Sequence, residues 1–421
     1  MRVTYPSVGR YRLTPSSIHS PLSPGAAVYY SGLSIPRDFG YMKYTPWDAR
    51  RAGRLGLSRS WRTIVLTALS IPFVCQTALA QHEHSSSEFE VFVAAEAVGS
   101  HPSHPRDDDD PWLDADVIFG LTHDRFRVFG EYFITPEEHD LERFQVGYEF
   151  VPDTMLWLGR FHQPSSAWNT EHHHGRYLQT AITRPSIESW EDQEGLIPQH
   201  ITGALLESRR QVGSDAGVQF SGGVGAAPAL AANDYQPITL VGGNPGKHGL
   251  SLTGRLAYLP DYAGTSSAGL LWGRDQVFVR NPAALAILRS NHAILGVYGA
   301  YTDWTVEAWR FIGAGYYVDV EFDRPTSDES FISGYLQAER QLSYRLTAFG
   351  RVEDSARMQE SHYVSLFNDH SGDIDVTLRR VAAGLRWDYA RRQALSCEFS
   401  HVVSIQRRAY ELRLQWSAAV P

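Results

Sequence analysis

The sequence predicts an all-β chain, a transmembrane antiparallel up-and-down β-barrel of about sixteen strands. Three observations carry this expectation. Past residue 80 no apolar run has the length of a helical span, yet apolar residues recur with period two. The alternating segments run about ten residues, the length of a tilted strand crossing a bilayer, against roughly five or six in soluble sheets. The segments are then joined alternately by short and long connections, as when tight turns gather at one end of a barrel and loops at the other.

The N-terminal region stands outside that pattern. Residues 63–80 read TIVLTALSIPFVCQTALA, preceded by Arg59 and Arg62 and closed by Ala78-Leu79-Ala80. A basic flank, an apolar stretch and an A-x-A ending describe an export signal cleaved after Ala80. The rival reading, a membrane anchor, is disfavoured because the apolar stretch falls short of the ~20 residues of a span and Pro72 interrupts it. Signals of this kind begin near the start of a chain, so translation is expected from Met42. The expected organisation is a non-native, disordered extension at 1–41, a signal peptide at 42–80 and one barrel domain at 81–421. Location in the outer membrane of a Gram-negative cell follows from an export signal joined to a barrel.

Removing residues 1–80 leaves 28 basic and 45 acidic groups, a net charge of −17. That balance disfavours nucleic acid and anionic surfaces as partners. Lys247 is the only lysine after Ala80, and the other basic groups are arginines. Cys397 is the only cysteine past the signal, so no intramolecular disulfide forms, and Phe73 and Val74 before Cys75 do not make a lipoprotein site.

In chain order the strands are expected near 88–98, 112–121, 124–134, 141–150, 153–161, 200–209, 214–223, 249–259, 268–278, 292–300, 303–313, 331–341, 343–354, 376–388, 393–404 and 406–416. Phe144, Val146, Tyr148 and Phe150 alternate with Arg143, Gln145, Gly147 and Glu149. Tyr344, Leu346, Ala348 and Val352 alternate with Arg345, Thr347, Arg351 and Glu353. Segments 380–389 and 410–416 repeat the pattern, whereas 268–278 and 292–313 alternate poorly. Aromatic residues gather at strand ends, among them Trp112, Tyr132, Trp157, Tyr301, Trp304, Trp387 and Trp416, as in interfacial girdles. A soluble β-sandwich also alternates; strand length, girdles and connection pattern favour the membrane.

The polar faces carry Arg125, Arg127, Arg143, Arg345, Arg351, Arg380, Arg386 and Arg413 with Glu131, Glu149, Glu353, Asp388, Glu398 and Glu411. An arginine facing lipid at mid-depth costs ~2–4 kcal/mol, so these side chains are expected to face an aqueous interior. A barrel of this size leaves room for a channel, unless its own loops plug it. Arg127, Arg143, Glu149, Arg351, Arg380 and Arg386 are the expected pore-lining set.

The most unusual connection is 162–199, the third of the long ones. Its run GRFHQPSSAWNTEHHHGRYLQTAITRPSI resembles the porin superfamily, and within it the barrels near the phosphate-selective porins. In sixteen-stranded porins the third loop folds into the barrel and narrows the pore. The resemblance therefore implies a long third external loop folded toward the lumen, with Glu171, His172, His174, Arg176 and Arg184 at a constriction. Phosphate-selective porins have lysine-lined paths, and a chain with one lysine after the signal departs from that. Ser186 as N-cap, Glu188 and Glu191 in early turns, Gly195 as terminator and Pro198 beyond it predict a short helix inside the loop.

His172, His173 and His174, with His162 and His200 at the edges, also suit zinc, copper or nickel. Adjacent histidines point different ways, so polar loop histidines remain the alternative to a metal site. Gln81-His82-Glu83-His84 is a solvated tail or a weak metal catch. Asp107–Asp110 is a solvated acidic loop or a calcium or lipopolysaccharide-bridging site. Gly242-Gly243-Asn244-Pro245-Gly246-Lys247 lacks the second half of a phosphate-cradling loop and reads as a turn. No nucleophile elbow or zinc-protease motif is present, so no enzyme and no cofactor are expected. The expectation is a passive channel for ions or small hydrophilic solutes; the alternative is a barrel that binds metal or a partner through its histidine-rich loop. Outer-membrane lipid, lipopolysaccharide, the barrel assembly machinery and a homo-oligomer such as a trimer are the expected partners.

Overall fold

A computed structural model describes residues 87–420 except 104–111, 137–138, 173–178, 190–194, 232–233, 241–245, 281–284, 286–289, 323–327 and 368–374. The expected leader at 42–80, the tail at 81–84, Asp107–Asp110, His173, His174, Arg176 and Glu191 therefore lie outside the described residues.

Sixteen long antiparallel strands close a barrel among the described residues. They are β1 (Ser87–Pro102), β2 (Trp112–His123), β3 (Phe126–Ile134), β4 (His139–Val151), β5 (Thr154–His162), β6 (His200–Val212), β7 (Ala216–Ala226), β10 (Leu250–Leu259), β11 (Ser267–Phe278), β12 (His292–Val306), β13 (Trp309–Phe322), β14 (Glu329–Ser343), β15 (Leu346–Ala356), β16 (Thr377–Ala390), β17 (Gln393–Ser404) and β18 (Arg408–Val420). Two further strands, β8 (Ala229–Ala231) and β9 (Asp234–Gln236), form a separate small ribbon in the connection after β7. Neighbours in sequence pair in order, and β1 closes on β18 with Val93 opposite Val420 and Pro102 opposite Glu411. Closure leaves no sheet edge, so every strand's backbone groups are met by a neighbour.

The tight connections are of two residues where the backbone turns through a left-handed conformation. Asp124 (φ 52°), Asp153 (φ 57°), Glu307 (φ 53°) and Arg392 (φ 64°) take that role. Aspartate tolerates it through its short polar side chain, which is why the first two turns were legible. Glu307-Ala308 carries no such signal, and the sequence places that turn at 301–302 instead. Residues 301–302 are strand, and the register continues from Tyr301 opposite Ala314 through Asp303 opposite Ile312 to Val306 opposite Trp309. β13 likewise runs on to Phe322, so the connection expected at 314–330 is mostly strand.

Outward positions are apolar and exposed: Val146, Leu158, Leu256, Leu270, Leu336, Val352, Val381 and Leu414 all project from the outer face. In water such a surface is unstable, and a lipid belt is the environment it suits. Trp272 stands opposite Tyr298, and Tyr298 opposite Tyr317, making an outward aromatic row across three strands.

The inner face is not uniform. On β11 to β14 it is apolar too, with Val277, Leu295, Val297, Val318, Val320 and Phe331 buried. These pack with Trp168, Ile187, Leu196 and Ile197 of the connection after β5, with Leu230 and Tyr235 of the ribbon, and with Tyr363, Val364 and Phe367 of the connection after β15. Apolar side chains on both faces are the physical reason that alternation fails at 268–278 and 292–313.

Candidate functional site

The connection 163–199 begins where β5 ends, with Gln163 N donating to the Gln199 carbonyl at 2.7 Å so that its two ends stay paired. It contains a short helix, α1 (Ala167–His172), and a single tight turn at Ser186–Glu188. Of the helix expected from Ser186, the described part is this one turn, which stops at Ser189, and residues 190–194 lie outside the described residues. Pro185 is the cap residue there, and the Ser186 hydroxyl donates to Glu353 of β15 rather than closing a helix. A run of buried residues, from Gln163 to Asn169, holds α1 in its place.

Glu188 joins the two halves of this connection. Its Oε2 accepts from the backbone N–H of Trp168 at 2.8 Å and of Asn169 at 3.1 Å, and from the Ser166 hydroxyl. The carboxylate thus meets the first unpaired N–H groups of α1, which no helical carbonyl can satisfy. Its Oε1 accepts from Tyr316 Oη of β13 at 2.6 Å and Tyr335 Oη of β14 at 3.0 Å. Burial pushes the Glu188 carboxyl above the usual range, and the hydroxyl and N–H donors pull it part of the way back.

The barrel wall grips the same connection through its backbone. Arg351 of β15 donates Nη1 to the Thr183 carbonyl at 2.7 Å and Nη2 to the Arg184 carbonyl at 3.3 Å. Arg380 and Arg386 of β16 donate to the carbonyls of Arg184 (3.1 Å) and Gln179 (2.6 Å). Glu398 of β17 accepts from Ile182 N at 2.7 Å and Thr183 N at 3.1 Å, and Glu353 accepts from Ser186 N at 2.8 Å. On the other flank, Asp275 of β11 accepts from Gln163 Nε2 at 3.0 Å, and Thr253 of β10 accepts from Ser165 N at 3.2 Å. Each bond comes from an inward strand position.

The expected pore-lining residues therefore divide. Arg351 is fully buried, with its Nε 2.8 Å from Glu353, and it holds the connection together with Arg380 and Arg386. Arg127 of β3 and Glu149 of β4 pair at 2.8 Å with 31% and 25% of their side chains exposed. Arg143 pairs with buried Glu131 at 2.5 Å and lies over the Phe129 ring. This second group sits on strands to which none of the bonds just described runs. Asp114 and Asp116 of β2 and Glu96 of β1 are buried on the neighbouring wall. Arg125 and Arg345 fall in turns rather than on the wall, where Arg125 donates to the Phe150 carbonyl at 3.4 Å and Arg345 lies over Tyr344.

Of the residues expected at the constriction, Glu171 reaches Arg255 of β10 at 3.2 Å and is half exposed. Arg184 is buried and donates to Asn169 Oδ1 at 2.7 Å. His172 is buried against the Trp168 ring, 5.1 Å between centroids. Burial, with Arg310 and Arg184 nearby, pushes its imidazole down to about 3, so it is neutral at physiological pH. A cationic neighbourhood opposes a divalent ion at His172, and no three His, Cys, Asp or Glu side chains converge as metal ligands among the described residues. Sequence reasoning missed Arg255, Arg310 and Glu188 as structural centres. Arg310 bonds Asp303 at 2.6 Å and lies 3.8 Å from Glu339. Glu188 is one of four acids between 188 and 194, with Glu191, Asp192 and Glu194, so nothing local in the sequence singles it out.

The fold is similar to that of solved outer-membrane porins and channels. An anion-selective porin from Comamonas acidovorans is similar over 80% of this chain and 100% of its own, with a TM-score of 0.54 and 12% identity. The outer membrane channel DcaP of Acinetobacter baumannii is similar over 82% of this chain and 100% of its own, with a TM-score of 0.52 and 9% identity. At these identities the likeness is one of fold. No protein-family model and no curated sequence matches the chain.

Proposed function

We propose that this chain is an outer-membrane diffusion channel whose passage is narrowed by residues 163–199. The observation that carries the reading is the asymmetry of the grip. Inward side chains of β10, β11 and β13 to β17 hold the connection, while the half-exposed Arg127–Glu149 pair lies across the barrel on β3 and β4. The water-filled path then runs between the connection and β1 to β4. Arg127, Arg143 and Glu149 line it, with Glu171 at the edge of the connection. Such paired charges lower the cost of bringing a hydrated ion through a narrow passage without trapping it. The fold of the solved porins, the apolar outer face and the expected export signal support an outer-membrane location. A phosphate-selective path is less well supported, because the wall arginines that could replace lysines hold the connection instead.

The apolar cluster inside β11 to β14 favours one second reading, a barrel closed by its own loops. One experiment separates the two. Purified protein is added to planar bilayers and its conductance recorded under a salt gradient. Stepwise openings with a defined reversal potential are expected; silence across salts and voltages assigns the plugged barrel instead.

A further inference from the structure

Outside the lumen, the structure holds a cavity of about 250 Å³ lined by Lys247, Phe278, Val279, Arg280 and Asn291. It lies where β11 ends and β12 begins, at the same end of the barrel as the connection 163–199. Phe278 has the same strand parity as Leu270 and Trp272, so the cavity opens on the outer side. Six residues separate Phe278 from the aromatic row at Trp272. At ~3.3 Å per residue and the usual barrel tilt, that sets it roughly 15–20 Å beyond the row.

The cavity is built to donate. Arg280 N donates to the Leu230 carbonyl of β8 at 2.8 Å, which ties its backbone to the ribbon. Its Nη2 lies 2.9 Å from His248 Nε2, and His248 Nδ1 lies 3.0 Å from the Ala227 carbonyl. An arginine can only donate, so His248 Nε2 accepts and its proton sits on Nδ1. The imidazole therefore aims the guanidinium without adding a charge. Gly246, at φ +96°, lies against that guanidinium, and a Cβ there would meet Arg280 Nε at 2.9 Å. Glycine thus allows the backbone to seat on the arginine face. Lys247 Nζ hangs over the Phe278 ring at 5.8 Å. Asn291 Oδ1 pairs with His292 Nδ1 at 2.8 Å, leaving the Asn291 amide to donate.

Among the described residues no carboxylate answers these cations. Among the described residues neither Lys247 nor Arg280 forms an ion pair, and the buried Arg280 Nε has no hydrogen-bond partner. Against the net charge of −17 over residues 81–421, two cations and an amide around a cavity with no acid among its described lining residues form an isolated positive site. We infer that this cavity binds a phosphate group, with Arg280 and Lys247 neutralising it and Asn291 completing the contacts. A guanidinium fork and an ammonium point charge together suit a dianionic phosphate. The outward opening beyond the aromatic row favours a phosphorylated saccharide at the membrane surface; inorganic phosphate is the other source of the same chemistry.

The test uses the full detergent-solubilised protein. Native mass spectrometry is run with phosphorylated lipopolysaccharide lacking O-antigen and with the same glycolipid after phosphatase treatment; inorganic phosphate is titrated with 31P line width as the readout. Retention of the phosphorylated glycolipid is expected to fall at least about tenfold in the Lys247→Gln/Arg280→Gln double variant and to survive in Lys247→Arg. Heat-modifiable migration on gels shows that each variant is folded, and channel conductance should be unchanged. Broadening by inorganic phosphate that the double variant abolishes assigns free phosphate as a ligand as well; glycolipid retention without it assigns the membrane source alone. Equal retention before and after phosphatase, or equal retention by wild type and double variant, without a variant-sensitive broadening, overturns the site.

Discussion

Arg351 and Thr183 are 168 residues apart in sequence, yet the arginine Nη1 donates to the threonine carbonyl at 2.7 Å inside the barrel. A buried, charge-assisted bond to a backbone carbonyl fixes both the loop's position and its peptide orientation. Glu353 beside it offsets the arginine's charge at 2.8 Å and itself accepts from Ser186 N.

Replacing Arg351 by methionine keeps much of its volume but removes three donor nitrogens and leaves Glu353 with Arg380, 3.7 Å away, as its remaining cation beside the Ser186 donors. Breaking a buried charged network in this way costs about 3–5 kcal/mol. The loss is expected to fall on the connection rather than the barrel, because strand pairing is untouched. Protease sensitivity confined to residues 179–187 and noisier, larger single-channel currents are the expected outcome. Unchanged current and unchanged cleavage would mean that the connection does not depend on this anchor.

Arg127 and Glu149 make a sharper test of the path. Arg127→Gln leaves Glu149 uncompensated and should shift the reversal potential in a salt gradient toward cation preference. Glu149→Gln should shift it the opposite way. Both side chains are partly exposed, so stability should change by less than about 1 kcal/mol. Reversal potentials that stay within error for both variants remove this pair from the permeation path.

The strand framework was legible because a membrane barrel must expose apolar side chains on one face and polar ones on the other, and most of the sixteen segments announce that period. The interior packing was not. Val318 and Val320 point inward as surely as Arg351 does, because the connection that covers them is itself apolar. Nothing local to β13 says which loop will lie on it. The anchors had the same ambiguity: Arg127 and Arg351 occupy identical alternating patterns, and only the tertiary placement of 163–199 separates a half-exposed pair from a buried clasp. Arg310 was hidden for a different reason. A turn expected at 301–302 puts Asp303 at a strand start, whereas the observed register carries Asp303 and Arg310 into contact across Glu307-Ala308.

Outside the lumen, Leu158 is 58% exposed on the outer face of β5. Leu158→Arg should destabilise the folded barrel by ~2–4 kcal/mol if that face meets lipid at mid-depth. Denaturant titration of refolding into lipid vesicles measures this. A loss below about 0.5 kcal/mol would place Leu158 near the interface or away from lipid altogether.

His172 gives a pH test with a definite sign. Its imidazole is pushed down to about 3 in the folded protein, against an ordinary value of 6.5. The unfolded chain therefore binds the proton more readily than the folded one below pH 6.5. The contribution of neutral His172 is whole above that pH and is lost progressively as pH falls toward 3, at about 1.4 kcal/mol per unit. Glu188 works the other way. Its folded value is raised above 4.5, so its ionised form costs stability above the folded value, and acidification through that value relieves the cost. Amide exchange at Trp168 and Asn169 reads both, since their N–H groups bond Glu188 and His172 packs on Trp168. In wild type, protection there should weaken between about pH 6 and 4 as the histidine term dominates. His172→Phe should remove that loss and leave only the opposing trend of Glu188, so protection rises slightly on acidification. An unchanged acid profile in His172→Phe would show that this imidazole does not control the stability of α1.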